Sequence, residues 1–347
     1  MKKVFALLRF QQAGLVLIIL ALGVILTMFA GTHIDRVTGQ TVNNFLNAST
    51  LVQIATDTCF FAIMAVGMTA VIVSGGIDLS IGSIYAVCGV LTALFLRMAP
   101  STPVLLAFGV CIGIGLIAGL LNGTMVATLG VHPFIITLGT MWVYRGIAFV
   151  TSSAQSISVP PQLTVFAKSN LGLRPDLYPV PALAMILVTI IGALYLRRTT
   201  MGRRIFAVGG NVEAARYSGL PIPAILIGVY VITGLCAGIA AFLGSAFYGS
   251  ASSGDAQGYE LYVIASAVVG GASLTGGKGT ATGAFLGALL IVMIKQSIRT
   301  LGLDQNYEWI IIGVAIVLAV VLDRVNAVLA ERRLSRQSLE SAAKDAA

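Results

Sequence analysis

Four ionisable side chains stand where ionisable side chains are costly. Asp57 lies within an apolar run at 51–73, and Arg145 interrupts another at 133–151. Asp78 sits in a GGIDLS turn, and Glu260 opens a short apolar run at 260–273. At membrane depth such groups face a cavity or a partner, and they mark either a pathway or a fixed ion pair. Asp57 and Arg145 therefore read as part of a polar passage, or else as a structural ion pair or interfacial anchor. Asp78 and Glu260 read as a helix cap or loop anchor near the interface. Asn122, Thr137 and Thr140 are small polar residues in apolar runs, and they suit the passage of a hydroxyl-rich solute. Recognition there should be weak, because a tight site in a channel slows release.

Other reactive groups do not assemble into a site. Cys59, Cys88, Cys111 and Cys236 all lie inside apolar runs without metal-ligand spacing, and they read as small core residues. His33 and His132 are far apart, so no histidine metal site is expected. The stretch ASLTGGKGT around Lys278 resembles a phosphate-binding loop, but Ala272 stands at its first position and Gly279 follows the lysine. It also lacks the strand that such a loop must follow. No triad, acid/base carboxylate pair or metal cluster can be built, which argues against an enzyme and against a bound cofactor.

These residues are embedded in an unusually apolar chain. Of 347 residues, 57% are hydrophobic and 10% charged, and the mean hydropathy is +0.96. A soluble domain carries about 25% charged residues. Lipid must supply the missing apolar surroundings, and in lipid a chain of this pattern forms helices. The expected fold is all-α: one polytopic transmembrane domain over 1–347 with about ten spans of roughly 20 residues each. The runs are 13–31, 51–73, 80–97, 103–128, 133–151, 179–197, 222–247, 260–273, 281–298 and 308–328. The eighth is short for a span, so a broken or re-entrant helix is expected there. The first reads as an anchor and not a cleaved signal, since its core is long and no early small-residue cleavage site follows.

The net charge of +8 resides in short basic segments between spans, a pattern that sets orientation and does not bind nucleic acid. Lys2, Lys3 and Arg9 precede the first span. Arg197, Arg198, Arg203, Arg204 and Arg216 lie between the sixth and seventh. Arg324, Arg332, Arg333, Arg336 and Lys344 follow the last, in a basic and flexible tail at 329–347. An even count places all three in the cytoplasm, with both termini inside and the loop 152–178 outside. A weak internal repeat pairs GGIDLSIGS at 75–83 with GGASLTGGK at 270–278, and Gly75, Gly76, Asp78, Ser80, Gly270, Gly271, Gly276 and Gly277 read as structural turn residues. Transporters are often built from such repeats. The span count puts both segments on the cytoplasmic side, whereas an inverted repeat needs opposite sides.

The cytoplasmic loop 198–221 carries the most information. Gly209 and Gly210 should break whatever precedes them. Asn211 is a good N-cap, and Glu213 lies in the first turn, where a carboxylate suits the helix dipole. Ala214, Ala215 and Arg216 favour helix; Gly219 is a natural stop, and Pro221 prevents continuation. One short exposed helix results, with alanines that allow close approach of a cytoplasmic partner.

In this loop GGNVEAARYSGL resembles the coupling segment of ABC-transporter sugar permeases of the ribose, xylose and arabinose group. The likeness extends to AVGMTAVIVSGGIDLSIGS at 65–83, PFIITLGTMWVYRG at 133–146 and GYELYVIASAVVGGASLTGGKGT at 258–280. The resemblance implies a permease subunit of an ATP-driven, binding-protein-dependent importer in the bacterial inner membrane. Its cargo would be a monosaccharide, first a ribose-like pentose, with a hexose, deoxysugar or polyol as alternatives. Asn211, Glu213, Ala214, Ala215, Arg216 and Gly219 would transmit motion from a separate ATPase subunit that binds the ATP and Mg. A periplasmic sugar-binding protein and a second permease chain, identical or paralogous, would complete the assembly. Two other classes compete. A secondary transporter or channel would couple through acidic residues near the midplane, where Asp57 is a thin candidate. A membrane enzyme would need a reactive constellation that is not visible.

Overall fold

The computed structural model describes residues 2–34, 39–172, 178–314, 317–318 and 321, with side chains from residue 12 onward. Apolar runs of spanning length become helices. In chain order these are α1 (Lys2–Phe29), α2 (Ala48–Val73), α3 (Ile81–Met98), α4 (Val104–Thr128) and α5 (Pro133–Ser152). Between α1 and α2 lies a small hairpin of β1 (Thr32–Ile34) and β2 (Thr41–Asn43). The connection after α5 holds β3 (Ile157–Ser158) and a short α6 (Pro161–Ala167). Then come α7 (Pro179–Arg198), α8 (Thr200–Gly210), α9 (Val212–Tyr217), α10 (Ile222–Tyr248), β4 (Ser250–Ala251), α11 (Tyr259–Val269) and α12 (Ala281–Thr300). β4 pairs antiparallel with β3 and ties the two long connections together.

Among the described residues, eight helices are long and apolar enough to cross a membrane: α1, α2, α3, α4, α5, α7, α10 and α12. The eighth run is α11, whose 11 residues reach about 16 Å, half of a hydrocarbon core of roughly 30 Å. The short-span expectation is met by a half-length helix entered through residues 252–258. Residues 307–314 are helical, while most of the tenth run and all of the tail 329–347 lie outside the described residues.

α2 is the axis of the bundle, buried without interruption from Thr58 to Val73. A helix apolar on every side belongs inside. α1, α4, α5 and α7 expose most of their apolar surface, the pattern of a lipid-facing ring. The most extensive seam joins α4 to α10. A Cβ on Gly119 would stand 2.4 Å from Tyr230 O, and one on Gly115 would stand 2.3 Å from Gly234 O. Where lipid removes the hydrophobic drive between helices, such close backbone approach supplies the contact.

The repeat appears as two turns of one design. After α2, Gly75 N–H bonds to Ile72 O and Gly76 N–H to Val71 O; after α11, Gly271 N–H bonds to Val268 O and Ala272 N–H to Ala267 O. Gly75 and Gly271 both take positive φ, at 88° and 97°. The hydrogen bonds thus match the turns one residue out of step with the sequence alignment. Gly277 N–H bonds to Val73 O at 2.9 Å, which places both turns on the same side of the bundle. This pair of turns is therefore not an inverted repeat.

Candidate functional site

The singled-out residues build three structures, two on the α8 side of the bundle or just inside it and one deeper, at the entry to α11. The first is α8 with α9. Thr199 caps α8 by accepting from Gly202 N at 2.9 Å, and the helix runs from the end of α7 to the end of α2. The sequence pattern marks no helix here, and Gly209 and Gly210 do not break one; they form its last turn. Asn211 caps α9, accepting from Ala214 N at 2.9 Å. Glu213 pairs with Arg216 at 3.1 Å, and Gly219 ends the element with a φ of 73°. The expected helix at 211–219 is thus present with the start and stop residues named for it.

One expectation for this helix is corrected. Ala214 is exposed, but Ala215 is buried in a cluster with Val126, Ile205, Val208, Ile225 and Tyr230. Its small size seats α9 on the bundle and does not face a partner. The outward face carries Val212, Glu213, Ala214, Arg216 and Tyr217, the last 87% exposed. The same cluster contains Val71 and Val73, so α9 and the end of α2 share one packed unit.

The second structure is the turn at 74–80. Ser80 donates to Asp78 Oδ1 from its N–H at 2.9 Å and from Oγ at 2.6 Å. Asn122 Nδ2 donates to Ser80 Oγ at 2.7 Å, and Tyr144 Oη lies 3.1 Å from Asn122 Oδ1 and 3.0 Å from Ala118 O. Thr137 Oγ1 and Tyr230 Oη both reach Ile77 O, at 3.2 and 3.3 Å. Asn122 lies six residues before the end of α4, so the ladder holds the turn about 9 Å inside the bundle. Non-helical backbone at that depth must be satisfied by protein groups. Asn122 and Thr137 supply them. Both are fully buried, and neither faces open space in this conformation; Thr140 bonds within its own helix. Asp78 Oδ2 meets no donor among the described residues.

The third structure is the entry to α11. Arg145 Nη1 donates to Ser253 O at 2.6 Å and Asp255 O at 2.7 Å, from a buried position seven residues before the end of α5. Its partners are backbone carbonyls. The N-terminus of α3 abuts the same segment: a Cβ on Gly82 would stand 2.5 Å from Ala256 O and 2.8 Å from Glu260 Oε2. The buried start of α3 and the half-buried start of α11 therefore meet within the bundle, with Glu260 beside them.

Asp57 sits apart from Arg145. It pairs with Arg299 at 3.7 Å, and Tyr248 Oη donates to it at 3.4 Å. Beside it, Lys295 pairs with Glu308 at 3.1 Å and lies 4.5 Å from the Tyr262 ring centre and 5.2 Å from that of Phe61. Sequence reasoning missed Lys295, Arg299, Glu308, Tyr144 and Tyr230. A charge near a helix end looks interfacial, and its partner is invisible until the helices are packed.

On the α8 side a cavity of about 350 Å³ lies between the ends of α2 and α8 and the start of α5. Its lining includes Ser74, Gly76, Pro133, Gly209, Asn211 and Tyr230. If α8 faces the cytoplasm, single cysteines at residues 203 and 204 will label only from inside and those at 161, 162 and 165 only from outside. The four native cysteines are buried and should stay silent. Labelling of both segments from one side would reject this orientation.

Over residues 50–320 the chain matches the family described as branched-chain amino acid transport system, permease component. It is 37% identical over 285 residues to the D-allose transport system permease protein AlsC of Escherichia coli K12, covering 81% of this chain and 85% of that one. It is 36% identical over 282 residues to the ribose import permease protein RbsC of the same strain, covering 81% and 87%. The autoinducer 2 import system permease protein LsrD of Yersinia enterocolitica is 31% identical over 291 residues, covering 82% and 86%. No solved structure matches the chain.

Proposed function

The chain belongs to the permease-component family of branched-chain amino acid transport systems, and from that premise we propose that it is the membrane subunit of an ATP-driven, binding-protein-dependent importer whose cargo is a monosaccharide. As a permease it transports and does not catalyse; ATP is hydrolysed on a separate ATPase subunit. The observation that carries the reading is α9. It is an exposed helix with its own cap and stop, seated on the end of the central span and presenting Val212 and Tyr217 to the outside of the bundle. A helix of six residues is marginal by itself. Here it is held by Ala215 and offers a partner an exposed surface that mixes Val212 and Tyr217 with the Glu213–Arg216 pair, which a groove on that partner can receive.

The family's description names branched-chain amino acids, whereas two of the three relatives above are named for the sugars allose and ribose. Those relatives share four-fifths of this chain, so a ribose-like pentose is the first candidate and a hexose the second. An ATP-driven importer closes two ATPase subunits around nucleotide, and one chain offers one α9. A second permease chain is therefore part of the proposal, and a twofold homodimer is its commonest form. Coupling residues are Asn211, Glu213, Arg216 and Gly219 with the exposed Ala214, Ala215 acting as the seat.

Proteoliposomes holding the permease with its ATPase and binding protein will take up labelled D-ribose or D-allose only when ATP is present, and the extracted complex will weigh in with two permease chains. Uptake of leucine and of no sugar would overturn the cargo. Sugar uptake without ATP would favour a secondary transporter.

A further inference from the structure

The end of α8 touches more than α9. Gly209 lies so close to the end of α2 that a Cβ there would stand 1.7 Å from Val73 O. The turn after α11 closes on the same carbonyl, because Gly277 N–H donates to it. A Cβ on Gly276 would stand 2.5 Å from Gly209 O, and one on Gly277 would stand 3.0 Å from Gly210 Cα. Gly276 and Gly277 also have φ values of 85° and 72°, a region open to glycine at little cost. Three backbone segments therefore meet at one point with no side chain between them: the end of α2, the end of α8 and the turn before α12.

Side chains yield by changing rotamer, but backbone packed on backbone does not. Any shift of α8 toward α2 must carry Val73 or the 276–277 turn with it, or break the bond from Gly277. Gly209, Gly210 and Asn211 also line the cavity between the ends of α2 and α8 and the start of α5, so open space lies beside the joint. From Val73 the chain passes into the 74–80 turn and α3; from Gly277 it passes into α12. Asn211, the cap of α9, follows the joint directly.

We propose that Gly209, Gly276 and Gly277 form the joint through which displacement of α9 reaches both the 74–80 turn and the turn before α12, with Gly209 as the residue that positions α8 on them. The inference rests on the importer reading. It adds the place where the force divides. Coupling between distant sites needs a contiguous element with two arrangements that both ends bias, and the joint supplies the contact.

Gly209→Ala should leave the permease in the membrane and co-purifying with the ATPase, while sugar uptake and the stimulation of ATP turnover by loaded binding protein fall about tenfold. A merely structural role would instead lower protein level and co-purification with uptake in proportion, and that result, or uptake within about twofold of wild type, overturns the proposal. Should the variant fail to accumulate, the pair Gly210→Cys with Gly277→Cys decides. Its disulfide should form at rates that differ several-fold between nucleotide-free and vanadate-trapped complex, and reductant should restore uptake blocked by oxidation. Equal rates in both states overturn the joint. A wild-type complex that takes up no sugar counts against the cargo alone, because cross-linking is read without sugar.

Discussion

Replacing Ala215 with tryptophan will reduce sugar uptake by about tenfold or more while the permease still inserts. α9 is held by little. Its cap at Asn211 contributes about 1 kcal/mol, and the only side chain it buries is that of Ala215. Overfilling a packed site costs about 1–3 kcal/mol, enough to cancel both, and each 1.4 kcal/mol is about a factor of ten in seated population. The bulk must go somewhere, and the neighbours Ile225 and Tyr230 are themselves fully buried, so α9 is the part that gives. Glu213→Pro should act by another route: it disfavours helical backbone at Val212, the first residue of the element, and removes the pair with Arg216. In both variants the ATPase should co-purify less or lose its response to loaded binding protein. Arg332→Ala in the basic tail is the control and should transport as wild type. Normal uptake in the two α9 variants, with ATP still required, would remove this helix from the coupling path.

That α9 could be read before folding follows from where its information lies. Asn211, Gly219 and Pro221 are local signals, each acting within one turn. The span limits were legible for a similar reason. α4, read as 103–128, is Val104–Thr128, and α10, read as 222–247, is Ile222–Tyr248, because prolines and polar residues bound the apolar runs. What the sequence hid is non-local. Gly209 and Gly210 look like breakers because glycine weakens a helix by about 1 kcal/mol, yet they end α8, and at Gly209 the end of α2 and the 276–277 turn leave no room for a Cβ. Asn122 and Thr137 look like passage-lining residues because they are small and polar; their buried partners are backbone and Ser80 from another part of the chain. Asp57 and Arg145 look alike as intramembrane charges, and only packing separates them.

That separation gives the second large effect. Arg145→Gln will reduce uptake about tenfold or more, whereas Asp57→Asn will change it by less than about threefold. Arg145 is buried, and one of its nitrogens serves two carbonyls of the segment that leads into α11. Each carbonyl left unsatisfied costs about 1–3 kcal/mol. The glutamine amide is too short to reach both, so residues 252–258 must rearrange, and Ala256 O carries the displacement to Gly82 at the start of α3. Asp57 is different in kind. Its side chain is 21% exposed and that of Arg299 is 35% exposed, and a partly exposed pair held at a long 3.7 Å contributes about 1 kcal/mol or less. Asparagine also keeps an acceptor for Tyr248. Arg145→Lys is the informative intermediate: it retains a charged donor that can serve one carbonyl, so its uptake should fall between wild type and Arg145→Gln. Equal loss in the lysine and glutamine variants would mean that the guanidinium itself meets the cargo. A large loss in Asp57→Asn with wild-type transport in Arg145→Gln would move the polar passage to the Asp57 side of the bundle.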